Sequence, residues 1–311
     1  EALRRAGVTQ RAPAPLDIQA AARALLAGAS IEISGRDLNK ASQVAAVHCR
    51  GRQVFLPCTP NVRPEDMLAA TSFACNLGLL PVPHVVARAI ESESVARDLL
   101  AGLSRAGAEA VLLIGGDVRD PRGPYRSSLE LLRSGLLQAA GIRKFGVASY
   151  PEGHPSIDDD VLSENLELKL EHAHREGLEV FIVSQFCFEA KAILKWARRL
   201  RLRDITAPLH VGVVAPTNAS KLLQLALRCG VGNSIRALKG RMSSMVRLVA
   251  THEPDELIHD LAAGLLAARD LEPLSLHLFA LGGIEATARW MSRASGDRAK
   301  HLAEQSIEGE R

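Results

Sequence analysis

Seven polar side chains stand at or just past the ends of short apolar runs in this sequence. They are Glu32, Thr59, His84, Asp117, Tyr150, His154 and Gln185. The apolar runs are β-branched, and stretches with helical periodicity separate them. This alternation of strand and helix, repeated about eight times, predicts a single-domain (β/α)8 TIM barrel. Such barrels build their active sites from the carboxyl ends of different strands, so these side chains should converge on one mouth.

Glu32 has the position best suited to proton transfer. It lies between Ile31 and Ile33 in an apolar strand, where a carboxylate is costly unless it is paired or functional. We expect this environment to raise the pKa of Glu32, which suits a general acid. The alternative is a buried ion pair with a neighbouring arginine or lysine.

His84 and Asp117 occupy similar positions further along the chain. His84 follows Pro83 near a predicted strand end, where the alternative to a ligand-binding histidine is one that is satisfied within the core. Asp117 follows Gly115 and Gly116, and two glycines let a ligand approach the backbone closely. The alternative for Asp117 is a helix cap or a turn.

The segment Tyr150-Pro-Glu-Gly-His-Pro155 is the sharpest local signal. Its two prolines fix the backbone, so that one phenol and one imidazole stand on a rigid turn at the barrel mouth. The alternative is a well-ordered loop with no ligand. Gln185 follows another strand, and its amide can donate and accept hydrogen bonds at once, as the edge of a heterocycle requires.

The elements that must position these residues can be placed along the chain. The eight predicted barrel strands cover residues 30–34, 53–57, 80–87, 110–116, 145–150, 180–186, 209–215 and 276–281. Asp17 should cap a first helix, and Pro64, Ser92 and Asp158 should begin others. The long segment between strands seven and eight should hold an extra helix before the last strand. We predict a mobile leader at 1–14, a catalytic barrel at 15–300 and a tail at 301–311.

Composition excludes several classes of protein. A formal charge of +3 on 311 residues gives no case for a nucleic-acid partner. Five cysteines without CxxC spacing argue against a metal site and a disulfide framework, and they favour the reducing cytoplasm. The sequence has no secretory segment and no apolar run of about 18 residues, so no membrane association is expected.

Taken together, these motifs resemble methylenetetrahydrofolate reductase, a flavin-dependent (β/α)8 barrel. The matching pieces are Ile31-Glu-Ile33, Pro83-His84, Gly116-Asp117, Ala148-Ser-Tyr-Pro-Glu-Gly-His-Pro155 and Ser184-Gln-Phe-Cys-Phe-Glu189. Their order and spacing also match, over about residues 28–290. The Tyr-Pro-Glu-x-His-Pro and Gln-Phe-x-Phe pieces together are fairly specific. The family forms oligomers, so the resemblance also implies a possible homo-oligomer.

The resemblance implies a role for each candidate residue. Glu32 would be the general acid that opens the five-membered ring of methylenetetrahydrofolate, and Asp117 would tune the flavin ring and the pterin. Gln185 and Phe186 would bind the folate substrate. FAD would be the cofactor, with NAD(P)H as co-substrate in the other half of a ping-pong scheme. The implied flavin contacts are Thr59, His84, Gly116, Asp117, Ser149, Tyr150 and His154.

The sequence departs from the family pattern where phosphate and nicotinamide would bind. Gly115 and Gly283 replace family arginines, and Ala219 replaces an aromatic residue. Arg36, Arg88, Arg119 and Arg122 are possible substitutes for the lost cations. The enzyme could therefore bind flavin by other contacts, work without tightly bound flavin, or run mainly in the oxidative direction. The alternative functions are a non-redox tetrahydrofolate-binding or methyltransferase module, and unrelated small-molecule chemistry on the same barrel.

Overall fold

Eight parallel strands form a closed barrel in which the last strand pairs with the first. The structure is a computed structural model, and it describes residues 15–218, 220–222 and 251–296. The barrel strands are β1 (Ser30–Glu32), β2 (Gln53–Leu56), β3 (Leu80–Val86), β4 (Ala110–Ile114), β5 (Lys144–Ser149), β6 (Glu179–Ser184), β7 (Leu209–Val214) and β10 (Leu274–Phe279). Two short strands, β8 (Thr217–Asn218) and β9 (Thr251–His252), pair antiparallel. The predicted TIM barrel is confirmed.

Helices connect the strands and form the outer layer. The described helices are α1 (Pro15–Ala27), α2 (Gly35–Lys40), α3 (Ser42–His48), α4 (Pro64–Asn76), α5 (Glu93–Arg105), α6 (Ser128–Arg133), α7 (Leu136–Ala139), α8 (Asp159–Arg175), α9 (Ala190–Arg201), α10 (Asp255–Ala267) and α11 (Ile284–Ser295). Short 3-10 helices cover Ala87–Ala89 and Arg269–Leu271. Helix α10 lies in the long segment before the last strand, and the part of that segment at residues 223–250, where an extra helix was predicted, lies outside the described residues.

Several strands end earlier than the sequence predicted, and the backbone shows why. Strand β1 stops at Glu32, because Ser34 instead caps α2 by accepting a hydrogen bond from the Asp37 amide. Strand β4 stops at Ile114, because Gly116 turns the chain with a φ of 88°. Strand β10 begins at Leu274, slightly before the predicted start. These shifts leave the candidate residues after β4 in loops above the barrel.

The helix starts are close to those predicted, with one correction. Ser92 caps α5 by accepting a hydrogen bond from the Val95 amide, and Asp158 stands at the N-cap of α8. Asp17 does not cap α1, because this helix begins at Pro15 and contains Asp17 in its first turn. The carboxylate there still complements the positive end of the helix dipole. Residues 1–14 and 301–311, the predicted leader and tail, lie outside the described residues.

The alternation of side chains along each strand separates two cores. One face of the strands packs against the helices, as Val54, Val111 and Ile182 do. The other face fills the barrel with a smaller apolar cluster that contains Phe55, Val82, Ala110, Leu112, Phe181 and Val183. Because strand positions alternate in this way, the inward positions of β1, β7 and β10 are those of Glu32, His210 and His277. Polar groups therefore share the barrel interior with this cluster.

None of the helices in the described ranges has both the length and the apolar character that crossing a membrane needs.

Candidate active site

The carboxylate of Glu32 lies between two histidines inside the barrel. Its Oε2 atom is 3.4 Å from Nε2 of His84 and 3.5 Å from Nε2 of His277. The side chains of Glu32, His84 and His277 are 18%, 9% and 0% exposed, in that order. The two Nε2 atoms are within ion-pair distance of the carboxylate, yet neither makes a hydrogen bond of good geometry within the described ranges. The histidines of β3 and β10 thus converge on the carboxylate of Glu32 on β1.

The prediction that the pKa of Glu32 is raised is wrong for the free protein. Burial alone would raise it, but the polar contact with His277 and the charges of His84 and His277 outweigh burial, so the pKa lies below its ordinary value. The predicted alternative partner, an arginine or lysine, is replaced by the two histidines. Glu32 is therefore ionised at neutral pH and must gain a proton before it can act as an acid.

The ring of His277 is held from several sides. Its Nδ1 atom is 2.9 Å from the hydroxyl of Ser30, which directs Nε2 towards Glu32. Aromatic rings pack edge-on against it, with centroid distances of 4.4 Å to Phe55 and 4.8 Å to Phe279. The sequence prediction missed His277. Its signal was available, because this histidine interrupts an apolar strand between Leu276 and Leu278 as Glu32 interrupts its own.

His84 lies deeper than its predicted role implied. It is an inward residue of β3 two positions before the strand ends, rather than a residue of the mouth loops. Burial lowers the pKa of His84, and the negative charge of Glu32 opposes this effect. His84 is therefore placed to contact Glu32, and any contact with a cofactor would be made beside that carboxylate.

Tyr150, His154 and Asp117 form a second group above the barrel. The rings of Tyr150 and His154 meet edge to face with centroids 4.9 Å apart. A hydrogen bond of 3.2 Å from the Gly153 amide to the Tyr150 carbonyl closes the turn between them. Burial lowers the pKa of His154, while the charge of Asp117 acts in the opposite direction. The structure thus brings together an exposed carboxylate, an imidazole and a phenol from two different loops.

Gln185 and Phe186 form the turn that follows β6. The backbone amide of Gln185 donates to the Ser149 carbonyl at 2.8 Å. The side-chain Oε1 of Gln185 accepts from the backbone amide of Phe186 at 3.0 Å. Phe186 is buried, and its ring centroid lies 5.7 Å from that of Phe279. The side-chain oxygen of Gln185 is therefore engaged in holding its own turn, which leaves the NH2 group as the donor for a ligand.

Ser149 differs from the other candidates in the direction of its side chain. The hydroxyl accepts a hydrogen bond of 3.1 Å from Nε1 of Trp196 on α9, so it faces the helical layer. A cofactor contact of Ser149 would therefore involve its backbone. Thr59 is exposed in the loop after β2, where its carbonyl accepts from the Val62 amide at 2.9 Å.

Residues 53–261 of the 311 match the family model of methylenetetrahydrofolate reductase. The chain belongs to this family. The recognised motifs from Pro83-His84 to the Gln185 turn all fall inside the matched range, whereas Glu32 and His277 fall outside it. Two residues of this site, Glu32 and His277, therefore come from parts of the chain beyond the matched range.

Solved structures support the same fold for this member of the methylenetetrahydrofolate reductase family. An uncharacterized protein from Clostridium thermocellum, described as binding two copies of 5-methyl-5,6,7,8-tetrahydrofolic acid, has a TM-score of 0.58 at 10% identity, covering 86% of this chain and 94% of that one. Dihydropteroate synthase from Thermus thermophilus is 18% identical, and the alignment covers 87% of this chain and 92% of that one with a TM-score of 0.46.

The mouth of this reductase-family barrel has groups that fit a flavin dinucleotide. A Cβ atom added to Gly115 would meet nothing within 4 Å, so a ligand can approach the backbone there. The Arg88 amide donates to the Gly115 carbonyl at 3.1 Å, which places Arg88 beside this opening. Its Nε atom is buried without a hydrogen-bond partner in the part of the chain that the structure describes. The Arg88 Nη2 donates to the Arg119 carbonyl, which holds the guanidinium near the loop after β4, and its positive charge would suit a phosphate there.

Proposed function

We propose that this protein interconverts 5,10-methylenetetrahydrofolate and 5-methyltetrahydrofolate by hydride transfer, as an oxidoreductase of one-carbon metabolism. The observation that carries the proposal is the carboxylate of Glu32 at the end of β1, buried between two histidines in a barrel of the methylenetetrahydrofolate reductase family. A folate-binding scaffold alone would not need an ionisable group at this depth, because burying an unneutralised carboxylate is costly.

Glu32 would act on the nitrogen that leaves the folate ring. Opening the five-membered ring of methylenetetrahydrofolate towards the 5-iminium breaks the bond between the methylene carbon and N10, so N10 must receive a proton. Glu32 would donate that proton and become a carboxylate again, stabilised by the histidines on either side. Its contact with His84 and His277 would therefore be tightest after the proton has left.

Gln185 and Phe186 would recognise the pterin. The NH2 group of Gln185 can donate to a ring nitrogen or carbonyl, and the hydrogen bond from Phe186 to its oxygen fixes which end of the amide faces the ligand. Phe186, backed by Phe279, would supply an apolar wall for the pterin face. The C. thermocellum protein of similar fold binds 5-methyl-5,6,7,8-tetrahydrofolic acid, which supports a folate as the ligand.

FAD would supply the hydride-carrying ring. The residues that would hold it are Tyr150, His154, Gly116 and Asp117 around the ring, with Thr59, the Ser149 backbone and His84 at the edges of the site. Arg88, beside the opening at Gly115, would meet the pyrophosphate in place of the family arginine. Asp117 would hold its negative charge near the flavin and His154.

NAD(P)H is the proposed partner for the other half-reaction. Ala219 stands where the family has an aromatic residue for the nicotinamide, and it lies outside the described residues. The second candidate function is a non-redox tetrahydrofolate-binding or methyltransferase module. The observation that favours it is the replacement of a family cation by Gly115, which weakens one flavin contact.

We also propose that the catalytic barrel extends over residues 15–300.

An absorbance experiment separates these functions. The protein is incubated with FAD, freed of excess cofactor and examined anaerobically with NADH, NADPH and each folate in turn. Flavin bands that bleach with a nicotinamide and return with methylenetetrahydrofolate would support the proposal. Bands that bleach only with methyltetrahydrofolate would assign the oxidative direction. Folate binding without retained flavin or any hydride transfer would favour the non-redox module.

Replacing Glu32 tests the proton donor. We expect Glu32→Gln to lower turnover by about 100-fold or more, because the amide cannot donate a proton of the needed acidity, while folate affinity changes little. The measurement is kcat beside folate binding by calorimetry. The control is Glu93→Gln, since Glu93 pairs with Arg97 on the exposed face of α5. Loss of binding with an unchanged rate for bound substrate would contradict an acid role.

A further inference from the structure

A chain of polar groups leads from Glu32 down the inside of the barrel. His277 faces Glu32 with Nε2 and places Nδ1 2.9 Å from the Ser30 hydroxyl. The same hydroxyl lies 3.5 Å from Nδ1 of His210, which in turn is 3.3 Å from the hydroxyl of Ser275. The polar groups thus lead from Glu32 on β1 to His277 on β10, back to Ser30 on β1 and then to His210 on β7, from the carboxyl side of the barrel towards its amino-terminal end.

At the amino-terminal end of the barrel, this series of polar groups reaches the protein surface. His277 and Ser30 are buried, whereas His210 and Ser275 are partly exposed near the starts of β7 and β10. The buried groups therefore connect the candidate active site at one end with solvent at the other. Groups of this kind, each able to donate and accept, can pass a proton without any ion crossing the apolar interior.

The hydroxyl of Ser30 can hydrogen-bond to His277 whether Glu32 is ionised or protonated. When it donates to Nδ1 of His277, Nε2 carries the proton and faces an ionised Glu32. When it donates instead to the Leu276 carbonyl, which is 3.3 Å away, Nδ1 can donate to Ser30 and Nε2 can accept from a protonated Glu32. The two tautomers of His277 therefore match the two states of the carboxyl group.

We propose that His277 returns a proton to Glu32 in each reductive turnover, and that Ser30 and His210 carry protons to His277 from the amino-terminal end of the barrel. The inference rests on the proposed function, in which Glu32 gives its proton to N10 of the folate. His277 acts through Glu32 and not on the substrate, so it is a positioning and proton-supplying residue. Oxidation of methyltetrahydrofolate would use the same path in reverse.

The step balances without a further reactant. The Nε2–H bond of His277 breaks as the O–H bond of Glu32 forms, and Nδ1 takes the proton of the Ser30 hydroxyl. Ser30 takes one from Nδ1 of His210 while Nε2 of His210 takes a proton from water at the amino-terminal end, and both rings return to their starting tautomers before the next turnover. One proton enters for each proton placed on N10, and no residue changes its oxidation state. A histidine that stays neutral between transfers suits this task, and burial is the largest cause that lowers the pKa of His210 to about 4.

The other ionisable groups around His277 do not offer an equivalent path. Glu32 faces it from β1, His84 from β3 and His210 from β7, and Lys144 on β5 lies near His210 while pairing with Glu179 at 3.3 Å. His84 also approaches Glu32, but in the described ranges no side chain hydrogen-bonds its Nδ1 to extend the path. His277 is therefore the member of the pair that connects Glu32 with the exterior.

Variants of His277, Ser30 and His210 test the path by kinetics. We expect His277→Gln, Ser30→Ala and His210→Phe each to lower kcat by about tenfold or more, with KM for the folate changed less than about twofold. The pH at which kcat falls should move upward in His277→Gln, because Glu32 loses the partner that lowers its pKa. Added imidazole should restore part of the rate to His277→Ala. The control is Ser128→Ala, a buried serine of α6 outside the barrel interior.

A spectroscopic measurement tests the path without turnover. In protein with 15N-labelled histidine, nitrogen shifts report the tautomer of His277, and Ser30→Ala should change the ratio of its tautomers at neutral pH. Glu32→Gln should shift the same resonances. Failure of the proposed function, seen as no effect of Glu32→Gln on turnover, would leave these couplings intact. If Glu32→Gln abolishes turnover while the His277, Ser30 and His210 variants keep the wild-type kcat and pH profile, the path is overturned.

Discussion

At the scale of single residues, the histidines of the barrel interior decide how Glu32 behaves. A buried carboxyl group is ordinarily harder to ionise, yet two imidazoles at 3.4 and 3.5 Å reverse that tendency. Burial also lowers the pKa of His84, and it lowers that of His210 to about 4. Acid conditions should therefore disturb the interior around Glu32.

The pKa of His210 predicts a loss of stability in acid. The pKa falls from 6.5 in the unfolded chain to about 4 in the folded protein, so between these pH values the unfolded state binds the extra proton. Stability from this residue is therefore present above pH 6.5 and declines as the pH falls towards 4. Allowing for partial exposure, the decline is about 2 kcal/mol.

Urea unfolding at neutral pH and at about pH 4.5 checks this expectation. His210→Gln should lose about 2 kcal/mol less than the wild type between the two conditions, because glutamine does not titrate. His259→Gln, on the exposed face of α10, serves as the control and should follow the wild type. An equal loss in the wild type and His210→Gln would show that His210 does not keep a low pKa in the folded protein.

At the scale of elements, the turn that carries Gln185 depends on a glycine of the neighbouring strand. A Cβ atom on Gly212 would lie 2.5 Å from the Ser184 carbonyl oxygen and 2.8 Å from the Phe186 nitrogen. The Gly212 amide also donates to the Ser184 hydroxyl at 2.9 Å, and its carbonyl accepts from the Cys187 amide. Strand β7 therefore supports the end of β6 by backbone contact, which only a residue without a side chain allows.

Gly212→Ala should displace this turn. We expect a loss of about 1–3 kcal/mol in the free energy of unfolding, because the atoms in the way belong to the backbone and cannot rotate aside. Folate affinity should fall as well, since Gln185 moves with the turn. Gly28→Ala is the matched control, because its nearest new contact would be an ordinary 3.7 Å. Unfolding and folate titration of both variants provide the measurement, and equal behaviour of the two would remove this account of β7.

At the scale of the whole molecule, Arg201 joins the end of α9 to the segment before the last barrel strand. Its Nη1 donates to the carbonyls of Ile205 and Ala207, and its Nη2 donates to Leu271 at 3.1 Å and to Pro273 at 3.2 Å. The last two acceptors are about 70 residues away along the chain. One guanidinium thus connects the helical layer with the strand that closes the barrel.

Arg201→Met should weaken this closure. The methionine keeps the apolar stem but leaves the carbonyls without their charged donor, for which we expect a loss of about 1–3 kcal/mol in the free energy of unfolding. Arg203→Met is the control, since Arg203 pairs with Glu167 at the surface and its loss should cost about 1 kcal/mol or less. Denaturant unfolding compares them, and a smaller loss for Arg201→Met than for Arg203→Met would contradict the role of the four carbonyls.

The sequence by itself determined the barrel and the order of its strands, because apolar β-branched runs alternate with helical periods. It also placed Glu32 on the first strand, the Tyr150–His154 turn after the fifth and Gln185 after the sixth, since each follows a local pattern. Strand ends were predicted less well, because Ser34 and Gly116 act through backbone geometry that apolar runs do not encode. The role of every site residue stays a prediction.

Only the tertiary structure decided what surrounds those residues. Barrel closure pairs β1 with β10, so Ser30 meets His277, which is 247 residues away. The contacts of Glu32 with His277 and His84 reverse the expected direction of its pKa shift, since a pKa depends on neighbours in space and not along the chain. The direction of the Ser149 hydroxyl, towards Trp196, was likewise decided by the pleat of the folded strand. Local patterns select the elements, and long-range pairing sets the electrostatics inside them.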